Sequence, residues 1–453
     1  MFRERDEAVK KIAVLGTGYV GLVSGTCFAE IGHNVTCCDI NEAKIRSLQN
    51  GVIPIYEPGL DELAEKNVRK GRLSFTTGIA SAVKNADIIY IAVGTPMSQT
   101  GEADLTYIKA AAQTIGEQLN GYKIIVNKST VPVGTGRLVY NIIRKASKGN
   151  YRFDVASNPE FLREGSAVRD TMQMERAVIG ATSDKAAAVI EELHKPFHTQ
   201  IVKTDLESAE MIKYAANAFL AAKISFINDI ANICERVGAD VSKVSEGVGL
   251  DSRIGSKFLQ AGIGFGGSCF PKDTTALLHM ANAADYPFKM MEAVIETNEK
   301  QRERITEKLI NAVGNIKGRT IAVLGLAFKP NTNDVRSAPA LDIIARLEKE
   351  GAHIKAFDPI AIPEASAVLG DGIEYHTELY NALANADACL ITTDWPEVKE
   401  MDLLKVKKLL KQPLIIDGRN IFPLEYMRAS GFTYHSIGRP AVHADEQMKE
   451  LAQ

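Results

Sequence analysis

Cysteine is scarce in this sequence, and its spacing matches neither a metal centre nor a disulfide framework. Six cysteines occur among 453 residues, without a CxxC pair, which argues against a structural zinc site and a disulfide scaffold. His194 and His198 have the i,i+4 spacing of a metal pair, but Pro196 interrupts the helix that this spacing requires. We interpret that segment as a surface loop and predict no metal site.

An excess of charge of one sign is also missing. The 53 basic and 56 acidic residues give a formal net charge of -3, which provides no electrostatic footprint for nucleic acid or for an anionic membrane surface. There is no apolar run of about 18 residues, and the charged first ten residues do not resemble a signal peptide. We expect a cytoplasmic protein without a membrane anchor, which holds any bound anion through local groups.

Short apolar runs alternate with helical patterns in the first part of the chain, residues 1–204. The runs are KIAVLG, HNVTCCDI, ADIIYIAV, YKIIVNKS and FDVASNPE. Strands this apolar, separated by helical stretches, are typical of a parallel sheet covered on both faces. They predict a doubly wound α/β domain.

The strand signal disappears in a central region, residues 205–300. The segment from Thr204 to Glu207 has the form of a capping box, and the following residues continue without glycine or proline until Gly238. This pattern predicts one helix of roughly 33 residues, about 50 Å long at 1.5 Å per residue. Because helices of this length and apolarity link domains or pack against a twin, we expect a homodimer formed through it, with a purely internal helix as the alternative.

A third region, residues 301–453, begins with a weak repeat of the first. Three segments of the third region match three segments of the first in the same order: RTIAVLG matches KKIAVLG, GAHIKAFDP matches GHNVTCCDI, and ANADACLITT matches KNADIIYIAV. In each region an aspartate, Asp39 or Asp358, ends the second strand. The third region lacks a glycine triplet after its first strand. The sequence therefore predicts an α/β fold of two Rossmann-like doubly wound domains joined by a long central helix, of which only the first binds a dinucleotide.

The glycine triplet of the first domain is Gly16-x-Gly18-x-x-Gly21, between an apolar strand and a helix. Gly16 permits the turn, Gly18 lets the backbone approach a pyrophosphate, and Gly21 lets helix and strand pack closely. Asp39, at the end of the next strand, is placed to accept hydrogen bonds from ribose hydroxyls and would repel a 2′-phosphate. The predicted cofactor is NAD rather than NADP.

The segment Gly262–Leu278 reads GIGFGGSCFPKDTTALL and predicts a glycine loop followed by a helix whose first position is Pro271. Cys269 then precedes a helix N-terminus and has Lys272 nearby, and both features stabilise a thiolate. Asp273 falls in the first turn, where it can act as a base or orient a water. The alternative is a buried structural cysteine in a turn.

A thiolate beside a NAD site has a defined chemical use. Oxidising an alcohol to an aldehyde needs one hydride transfer, but a free aldehyde has no hydride-donating oxyanion until a nucleophile adds to it. Addition of a thiolate gives a thiohemiacetal, which releases a second hydride and leaves a thioester for hydrolysis. The combination predicts either aldehyde oxidation or a four-electron oxidation of an alcohol.

Further candidates lie on the long helix and at predicted strand ends. Lys213 and Asn217 share one helix face and could stabilise a developing alkoxide, with a solvated helix face as the simpler interpretation. Thr130, Glu160 and Glu164 lie where ligands of doubly wound sheets bind.

Together these motifs resemble the UDP-glucose/GDP-mannose dehydrogenase family over nearly the whole chain. The resemblance rests on GTGYVGL, PIYEPGL, VGTP, KSTVPVGT, SNPEFLREG, KYAANAFLAAKISFIN, GFGGSCFPKD, GLAFKPNTNDVR and DGRN. In the loop around Cys269, Phe265 and the run Phe270-Pro271-Lys272-Asp273 resemble the members that oxidise UDP-glucose more than the members that oxidise guanosine sugars or N-acetylamino sugars. The resemblance implies two hydride transfers to NAD that convert UDP-glucose to UDP-glucuronate, with a UDP-N-acetylhexosamine or GDP-mannose as the alternative substrate. A non-catalytic NAD-binding regulator is the alternative outside the enzymes.

The resemblance also implies roles for matching residues. Implied catalytic residues are Cys269 as nucleophile, Asp273 and Lys213 for protons and charge, Asn217 for the oxyanion, and Thr130 and Glu160 for the hydrolytic water. Residues implied to lie near NAD are Gly16, Gly18, Tyr19, Val20, Gly21, Asp39, Lys44, Thr95, Thr130, Glu164, Lys272 and Arg336. Residues implied to contact the sugar nucleotide are Glu160, Phe161, Leu162, Lys213, Asn217, Arg253 from the neighbouring subunit, Phe258, Leu259, Gly266, Lys329 and Arg419. Some family members have Lys where this chain has Gln260, so the resemblance predicts that one phosphate contact is missing or neutral here.

Overall fold

The computed structural model describes residues 9–98 and 101–444. It divides into two compact units, with the boundary between Ala216 and Asn217. Each unit contains one predominantly parallel sheet, and a single long helix runs through the boundary along the chain. The predicted fold class, two Rossmann-like sheets joined by a long helix, is confirmed.

The first unit is built on an eight-stranded sheet. Its strands are β1 (Lys11–Leu15), β2 (Asn34–Cys38), β3 (Leu73–Thr76), β4 (Ile88–Ile91), β5 (Lys123–Asn127), β6 (Phe153–Ser157), β7 (Arg176–Ala181) and β8 (Gln200–Thr204). The sheet order is β3-β2-β1-β4-β5-β6-β7-β8. Neighbouring strands are parallel except β6 and β7, and the five predicted strands β1, β2, β4, β5 and β6 all pair in parallel. The sequence missed β3, β7 and β8; β3 is only four residues long, and β8 is largely exposed and has no apolar run.

Helices cover both faces of this sheet. They are α1 (Tyr19–Glu30), α2 (Glu42–Gln49), α3 (Leu60–Arg69), α4 (Ile79–Asn85), α5 (Thr106–Gln118), α6 (Thr135–Ala146), α7 (Ala167–Met172) and α8 (Asp184–His194), with a 3-10 turn at Lys195–Phe197. Alternate residues of β4 face two separate cores: Ile88 and Tyr90 pack in the core that contains α1, and Ile89 and Ile91 pack in the core that contains α5. Burial on both faces explains why these strands are uniformly apolar.

His194 does not lie in a surface loop as expected. It ends α8 with its side chain buried, and its Nδ1 lies 2.7 Å from the carbonyl oxygen of Ile190. Its ring packs edge-on against Phe28. The aromatic contacts of the core therefore hold this histidine inside, while His198 after the turn is exposed.

The predicted long helix is α9 (Leu206–Val237), with 32 residues. Its N-terminus is capped by Asp205 rather than Thr204, because the Asp205 carboxylate accepts hydrogen bonds from the backbone N–H and the hydroxyl of Ser208 at 2.7 and 2.8 Å. The N-cap of this helix therefore lies one residue later in the chain than the predicted capping box placed it.

The second unit continues with three helices and a six-stranded sheet. The helices are α10 (Val241–Gly249), α11 (Phe270–Ala283) and α12 (Lys289–Val313). The strands are β9 (Thr320–Leu324), β10 (His353–Phe357), β11 (Glu374–His376), β12 (Ala388–Ile391), β13 (Leu414–Asp417) and β14 (Thr433–Ser436). The remaining helices are α13 (Pro339–Lys349), α14 (Ile362–Leu369), α15 (Leu379–Leu383), α16 (Pro396–Lys399), α17 (Leu403–Leu409) and α18 (Leu424–Ala429).

The internal repeat is visible in the topology of the two sheets. The second sheet has the order β11-β10-β9-β12-β13-β14, and the first six strands of the first sheet follow the same order. This is the 3-2-1-4-5-6 order of doubly wound folds. In each sheet the strand order reverses beside the first strand, and ligands of doubly wound folds bind at such a switch point. The residues around the two switch points differ.

Candidate active site

The loops at the carboxyl edge of the first sheet come together because the strand ends are in register. Leu15 pairs with Cys38 on one side and with Ile91 on the other, and Ile91 pairs with Asn127. Asn127 in turn pairs with Ser157. The segments that follow these five residues contain the glycine triplet, Asp39, Thr95, Thr130 and Glu160, so topology brings these candidates to one edge.

The three glycines occupy different environments. Gly16 has φ +102°, and a Cβ there would collide with the carbonyl oxygen of Ala92. A Cβ on Gly21 would collide with the carbonyl oxygen of Gly16. No protein atom lies within 4 Å of the Cβ position of Gly18, which leads directly into α1. Side-chain-free space beside a helix N-terminus is the feature that a pyrophosphate requires.

Asp39 is held rigidly at the end of β2. Its Oδ2 accepts hydrogen bonds from the backbone N–H and the hydroxyl of Thr17 at 3.0 and 2.7 Å, and the Lys44 ammonium lies 3.4 Å away. Burial would raise the pKa of Asp39, but the hydrogen bonds from Thr17 and Asn41, with the Lys44 charge, outweigh it and lower the pKa. The carboxylate is therefore anionic near neutral pH, as repulsion of a 2′-phosphate requires.

Thr95 and Thr130 connect the loops that follow β4 and β5. The Thr95 hydroxyl donates a hydrogen bond to the Thr130 carbonyl oxygen at 2.9 Å, and Thr95 is buried. Tyr19 and Val20, in the first turn of α1, remain partly exposed, and the Tyr19 hydroxyl donates to the Tyr56 carbonyl oxygen. These contacts fix the edges of the space above the glycine turn.

A buried ion pair lies at the end of β6. The Lys213 ammonium of α9 donates to Glu160 Oε1 at 2.9 Å, and the backbone N–H of Leu162 donates to Glu160 Oε2 at 2.8 Å. The Phe161 ring lies beside two cations, with the Arg176 guanidinium carbon 3.9 Å and the Lys213 nitrogen 5.5 Å from its centroid. The solvated-face interpretation of Lys213 is wrong, because its side chain is buried against Glu160.

Two buried glutamates that the sequence did not single out support this edge. Glu57, within the PIYEPGL motif, accepts hydrogen bonds from the backbone N–H groups of Gly165 and Ala167, both at 2.7 Å. It thereby holds the loop that contains Glu164, which is itself buried. Glu210 accepts hydrogen bonds from Gly134 and Gly136 at the N-terminus of α6. Acidic residues far apart in the chain gave no local signal for these capping contacts.

In the second unit, Cys269 differs from the other cysteines. It is partly exposed, whereas the other five, including Cys234, are buried. Burial raises the pKa of the Cys27, Cys37, Cys38 and Cys389 thiols, that of Cys27 to about 12. The helix α11 begins at Phe270, one residue earlier than the predicted start at Pro271, so Cys269 occupies its N-cap position. The partial positive charge of that N-terminus favours a thiolate.

Asp273 forms a buried polar group with two neighbours. The Asn217 amide donates to Asp273 Oδ2 at 2.6 Å, and the Lys272 ammonium lies 2.5 Å from Asp273 Oδ1. Lys272 is thus engaged by Asp273. Asn217 is buried, so the solvated-face alternative is wrong for this residue too.

Side-chain amides hold the backbone of the glycine loop. Asn228 on α9 accepts from the Gly262 N–H at 2.8 Å, and Gln301 on α12 donates to the Gly262 carbonyl oxygen at 2.9 Å. Asn298 both accepts from the Phe265 N–H at 2.7 Å and donates to its carbonyl oxygen at 3.0 Å. All three amide side chains are buried. Sequence reasoning missed them, because their partners are distant backbone groups.

The predicted sugar-nucleotide contacts of the second unit lie around this loop and the end of β13. The Arg419 guanidinium donates to the carbonyl oxygens of Thr392 and Phe328 at 2.7 and 3.1 Å, and a Cβ on Gly262 would lie 3.0 Å from the Gly418 carbonyl oxygen. Lys329 lies beside the Phe328 ring.

Two other predicted residues of this unit have well-defined surroundings. A Cβ on Gly266 would collide with the Ser337 carbonyl oxygen. Arg336 pairs with Asp334 at 2.7 Å, and its carbonyl oxygen accepts from the Gly267 N–H at 2.9 Å. The segment between β9 and α13 therefore packs closely against the glycine loop.

The segment before the glycine loop contains the other predicted contacts. Phe258 has φ +66°, and its ring centroid lies 6.1 Å from that of Phe270, while Leu259 is buried. Gln260 is exposed and donates to the Ser256 carbonyl oxygen at 3.3 Å. Arg253 is highly exposed and pairs with Asp251 at 2.6 Å.

The second switch point is closed by the protein itself. Asp358 ends β10 as Asp39 ends β2, but it is fully buried. One carboxylate oxygen accepts from the N–H groups of Leu326 and Ala327 and from the Trp395 indole, at 2.7, 3.1 and 3.0 Å. These bonds occupy the carboxylate that would otherwise bind a ribose.

Residues 9–98 and 101–444, the part of the chain that the structure describes, contain neither a metal-binding cluster nor a membrane-spanning helix. No group of three or more His, Cys, Asp and Glu side chains in this range is arranged to hold a metal ion. Within the same range, none of the helices is both long and apolar enough to cross a membrane.

Domains of one family match most of the chain. The NAD binding domain of the UDP-glucose/GDP-mannose dehydrogenase family matches residues 10–198, the central domain matches residues 207–300, and the UDP binding domain matches residues 322–423. The UDP-glucose 6-dehydrogenase TuaD of Bacillus subtilis is 76% identical over 438 residues, which cover 97% of this chain and 95% of that protein. A UDP-glucose 6-dehydrogenase of Pseudomonas aeruginosa is 41% identical and covers 95% of this chain and 98% of its own.

Solved structures agree with these sequence relatives. A UDP-glucose dehydrogenase from Pyrobaculum islandicum superposes with a TM-score of 0.91 at 38% identity, covering 97% of this chain and all of its own. A UDP-D-ManNAc dehydrogenase from Pyrococcus horikoshii gives 0.83 at 30% identity, covering 94% of this chain and 99% of its own. The chain therefore belongs to the UDP-glucose/GDP-mannose dehydrogenase family.

Proposed function

We propose that the chain is a NAD-dependent 6-dehydrogenase of UDP-glucose, which forms UDP-glucuronate in two successive oxidations. One observation carries the proposal: the same chain has an open dinucleotide turn that ends in an anionic Asp39 and a partly exposed Cys269 at a helix N-terminus. The sequence relatives named above as UDP-glucose 6-dehydrogenases support the choice of sugar.

The residues of the first unit fit NAD. The space at Gly18 and the N-terminus of α1 would hold the pyrophosphate, and the Asp39 carboxylate would accept from a ribose hydroxyl. When bound, NAD supplies the hydride acceptor for both oxidations. Lys44, whose ammonium lies beside Asp39, would neutralise part of the charge at that end of the site.

In the first oxidation, the 6-hydroxyl of glucose loses its proton and carbon 6 loses a hydride, giving an aldehyde. We assign proton removal to Lys213, which is buried 2.9 Å from Glu160 and would accept the proton as its neutral amine.

In the second oxidation, the Cys269 thiolate adds to the aldehyde carbon, and the S–C bond forms as the carbonyl oxygen becomes an oxyanion. Asn217, which donates one amide hydrogen to Asp273, has a second one available to stabilise that oxyanion. Loss of the second hydride leaves a thioester.

Hydrolysis then regenerates the thiolate. A water placed by Thr130 and Glu160 attacks the thioester carbon, Asp273 accepts its proton, and the C–S bond breaks to release the carboxylate. The balance is one alcohol and one water converted to one carboxylate, two hydrides and three protons. The reaction thus needs two NAD per sugar.

The stoichiometry of NADH tests this proposal. We expect two NADH per UDP-glucose consumed, and we expect Cys269→Ser to abolish formation of UDP-glucuronate, measured by absorbance at 340 nm and by chromatography of the sugar nucleotide. Cys234→Ala, which changes a buried cysteine of α9, is the matched control and should retain activity. A ratio of one, or full activity of Cys269→Ser, would contradict the covalent route.

A panel of substrates resolves the sugar. UDP-glucose should give the highest kcat/KM among UDP-glucose, UDP-N-acetylglucosamine and GDP-mannose. A higher value for one of the others would reassign the substrate within the family. Binding of NAD without NADH formation from any of the three would favour a non-catalytic regulator.

We further propose that the chain forms a homodimer through α9. Several apolar side chains on this helix are exposed, and four of them are spaced as a stripe: Phe219, Phe226, Ile233 and Val237, at 68, 56, 51 and 70% of their full accessibility. Their intervals of seven, seven and four residues place them along one face. A second copy would present the same stripe and would bury it symmetrically.

A further inference from the structure

Arg419, the predicted sugar-nucleotide contact after β13, has one nitrogen that can serve a ligand. Its Nε and Nη2 donate to the carbonyl oxygens of Thr392 and Phe328, whereas its Nη1 makes no hydrogen bond to any residue that the structure describes. Nη1 would lie 3.7 Å from a Cβ on Gly262, in the glycine loop that precedes Cys269. The guanidinium can therefore donate to an acceptor oxygen of a nucleotide beside that loop, if its own loop is held in place.

The loop after β13 is shaped by the buried Asp417 carboxylate. Its Oδ1 accepts from the Arg419 N–H and its Oδ2 from the Ile421 N–H, both at 2.8 Å. Asn420 has φ +56°, and its side-chain amide exchanges hydrogen bonds of 2.8 and 2.9 Å with the backbone of Ile437. Left-handed backbone at a residue other than glycine needs support from its surroundings. The loop thus depends on partners outside it.

Two side chains from β14 and the segment after it reach this carboxylate. The Tyr434 hydroxyl donates to Asp417 Oδ2 at 2.6 Å and accepts from Arg439 Nη2 at 2.7 Å. Arg439 Nη1 also donates to the Phe422 carbonyl oxygen at 3.0 Å. Tyr434 is fully buried, and burial together with the Asp417 charge raises its pKa, so the hydroxyl stays protonated and can donate. The contacts form one chain from Arg439 to the loop after β13.

The segment that carries Arg439 is itself fixed to the helices. The Gly438 N–H donates to Glu235 of α9 at 2.7 Å, and its carbonyl oxygen accepts from the Val241 N–H of α10 at 2.8 Å. Gly438 has φ +69°, and a Cβ there would lie 2.7 Å from the Cα of Ala231 on α9. Arg439 therefore reaches the loop from a position that α9 and α10 hold.

We propose that Tyr434 and Arg439 are positioning residues of the sugar-nucleotide site. Through Asp417 they hold the loop from which the Arg419 guanidinium donates to the nucleotide. The inference rests on the proposed function. The UDP binding domain of the family matches residues 322–423, so both residues lie outside it. Because they act on a nucleotide contact and not on the reacting carbon, their loss should raise the KM for UDP-glucose and leave kcat unchanged.

Binding of UDP, measured by isothermal titration calorimetry, tests this role without turnover. Tyr434→Phe removes the hydroxyl that links Asp417 to Arg439, and it should weaken UDP binding and raise the KM for UDP-glucose about tenfold. The kcat and the affinity for NAD should not change. Unchanged UDP affinity in Tyr434→Phe would overturn the inference. Arg439→Gln, with the same expected result, replaces Tyr434→Phe if the latter does not fold.

A double-mutant cycle separates positioning from a general loss of stability. Arg419→Ala removes the guanidinium through which Tyr434 is proposed to act. In that background, Tyr434→Phe should change the affinity for UDP by less than about twofold, because the two residues belong to one network. If instead the effects of the two substitutions on UDP affinity multiply, Tyr434 does not act through Arg419 and the inference is wrong.

Tyr375 provides a matched control in the same sheet. It lies in β11, and its hydroxyl donates to the Gly370 carbonyl oxygen at 3.0 Å. Tyr375→Phe should leave UDP affinity unchanged, and a weakening equal to that of Tyr434→Phe would overturn the inference. A wild type that binds UDP but forms no NADH from UDP-glucose would count only against the proposed function, whereas a wild type that does not bind UDP would overturn the inference as well.

Discussion

Single carboxylates decide what each sheet can bind. Asp39 and Asp358 end equivalent strands, and each accepts backbone hydrogen bonds from the turn after the first strand. Asp39 remains partly accessible, whereas Asp358 is fully buried and also accepts from the Trp395 indole. One aspartate can therefore bind a ribose, and the other stabilises the protein alone.

Glu210 illustrates a second use of a buried carboxylate. Its two oxygens accept from the N–H groups of Gly134 and Gly136 at 2.7 Å each, so it caps α6 from α9. Burial raises the pKa of Glu210 to about 7, although both hydrogen bonds oppose the change. The folded pKa lies above the unfolded one, so the contribution of Glu210 to stability is present at low pH and is lost as pH rises through about 7.

Glu210→Gln should remove this dependence. Relative to the wild type, the variant should become more stable as pH rises from 5 to 7.5, by up to about 3 kcal/mol for a change of this size in pKa. Urea denaturation at several pH values measures it. Glu207→Gln is the control, because the pKa of Glu207 is lowered and its carboxylate is ionised in both states over that range. An equal trend in both variants would contradict the assignment to Glu210.

At the scale of elements, two long helices determine the shape of the glycine loop. Asn228 of α9 and Asn298 and Gln301 of α12 satisfy the backbone groups of Gly262 and Phe265. Gly264 between them has φ +95°, and a Cβ there would lie 2.6 Å from Asn298 Oδ1. The loop thus needs glycine both for its backbone angle and for its contact with the helix, and Cys269 follows a segment with little freedom.

Asn298→Ala should loosen that loop. It leaves a buried N–H and a buried carbonyl of Phe265 without this partner, which should cost about 2 kcal/mol of unfolding free energy. We also expect a lower kcat and an altered rate of Cys269 alkylation by iodoacetamide, followed by mass spectrometry. Asn311→Ala, on the exposed face of the same helix, is the control. Unchanged alkylation and kcat in Asn298→Ala would show that the amide does not position the cysteine.

At the scale of the whole molecule, the chain repeats one topology and uses its two copies differently. Both sheets contain the order 3-2-1-4-5-6, but only the first has an open glycine turn. The helix α9 carries buried polar residues on one side and an exposed apolar stripe on another. A helix with both kinds of surface can contribute to a site and to an interface at the same time.

The apolar stripe gives a direct test of assembly. Phe226→Glu places a charge in the middle of the proposed interface and should convert a dimer into monomers, measured by light scattering after size-exclusion chromatography. Leu404→Glu, which changes another exposed apolar residue in α17, should leave the mass unchanged. A monomeric wild type, or a dimeric Phe226→Glu, would contradict the proposed interface.

The sequence by itself determined the features that depend on neighbours in the chain. Strand apolarity, the glycine turn, the position of Cys269 before a helix and the long helix are local patterns, and the fold class follows from their order. Local pattern failed where tertiary contacts decide. It missed the antiparallel β7, the buried state of His194, and the capping roles of Glu57 and Glu210, because each depends on a partner from a distant segment. Only the folded chain sets the burial and the neighbouring charges of a titratable group, and these decide whether the group caps a helix, binds a ribose or changes the pKa of its neighbour.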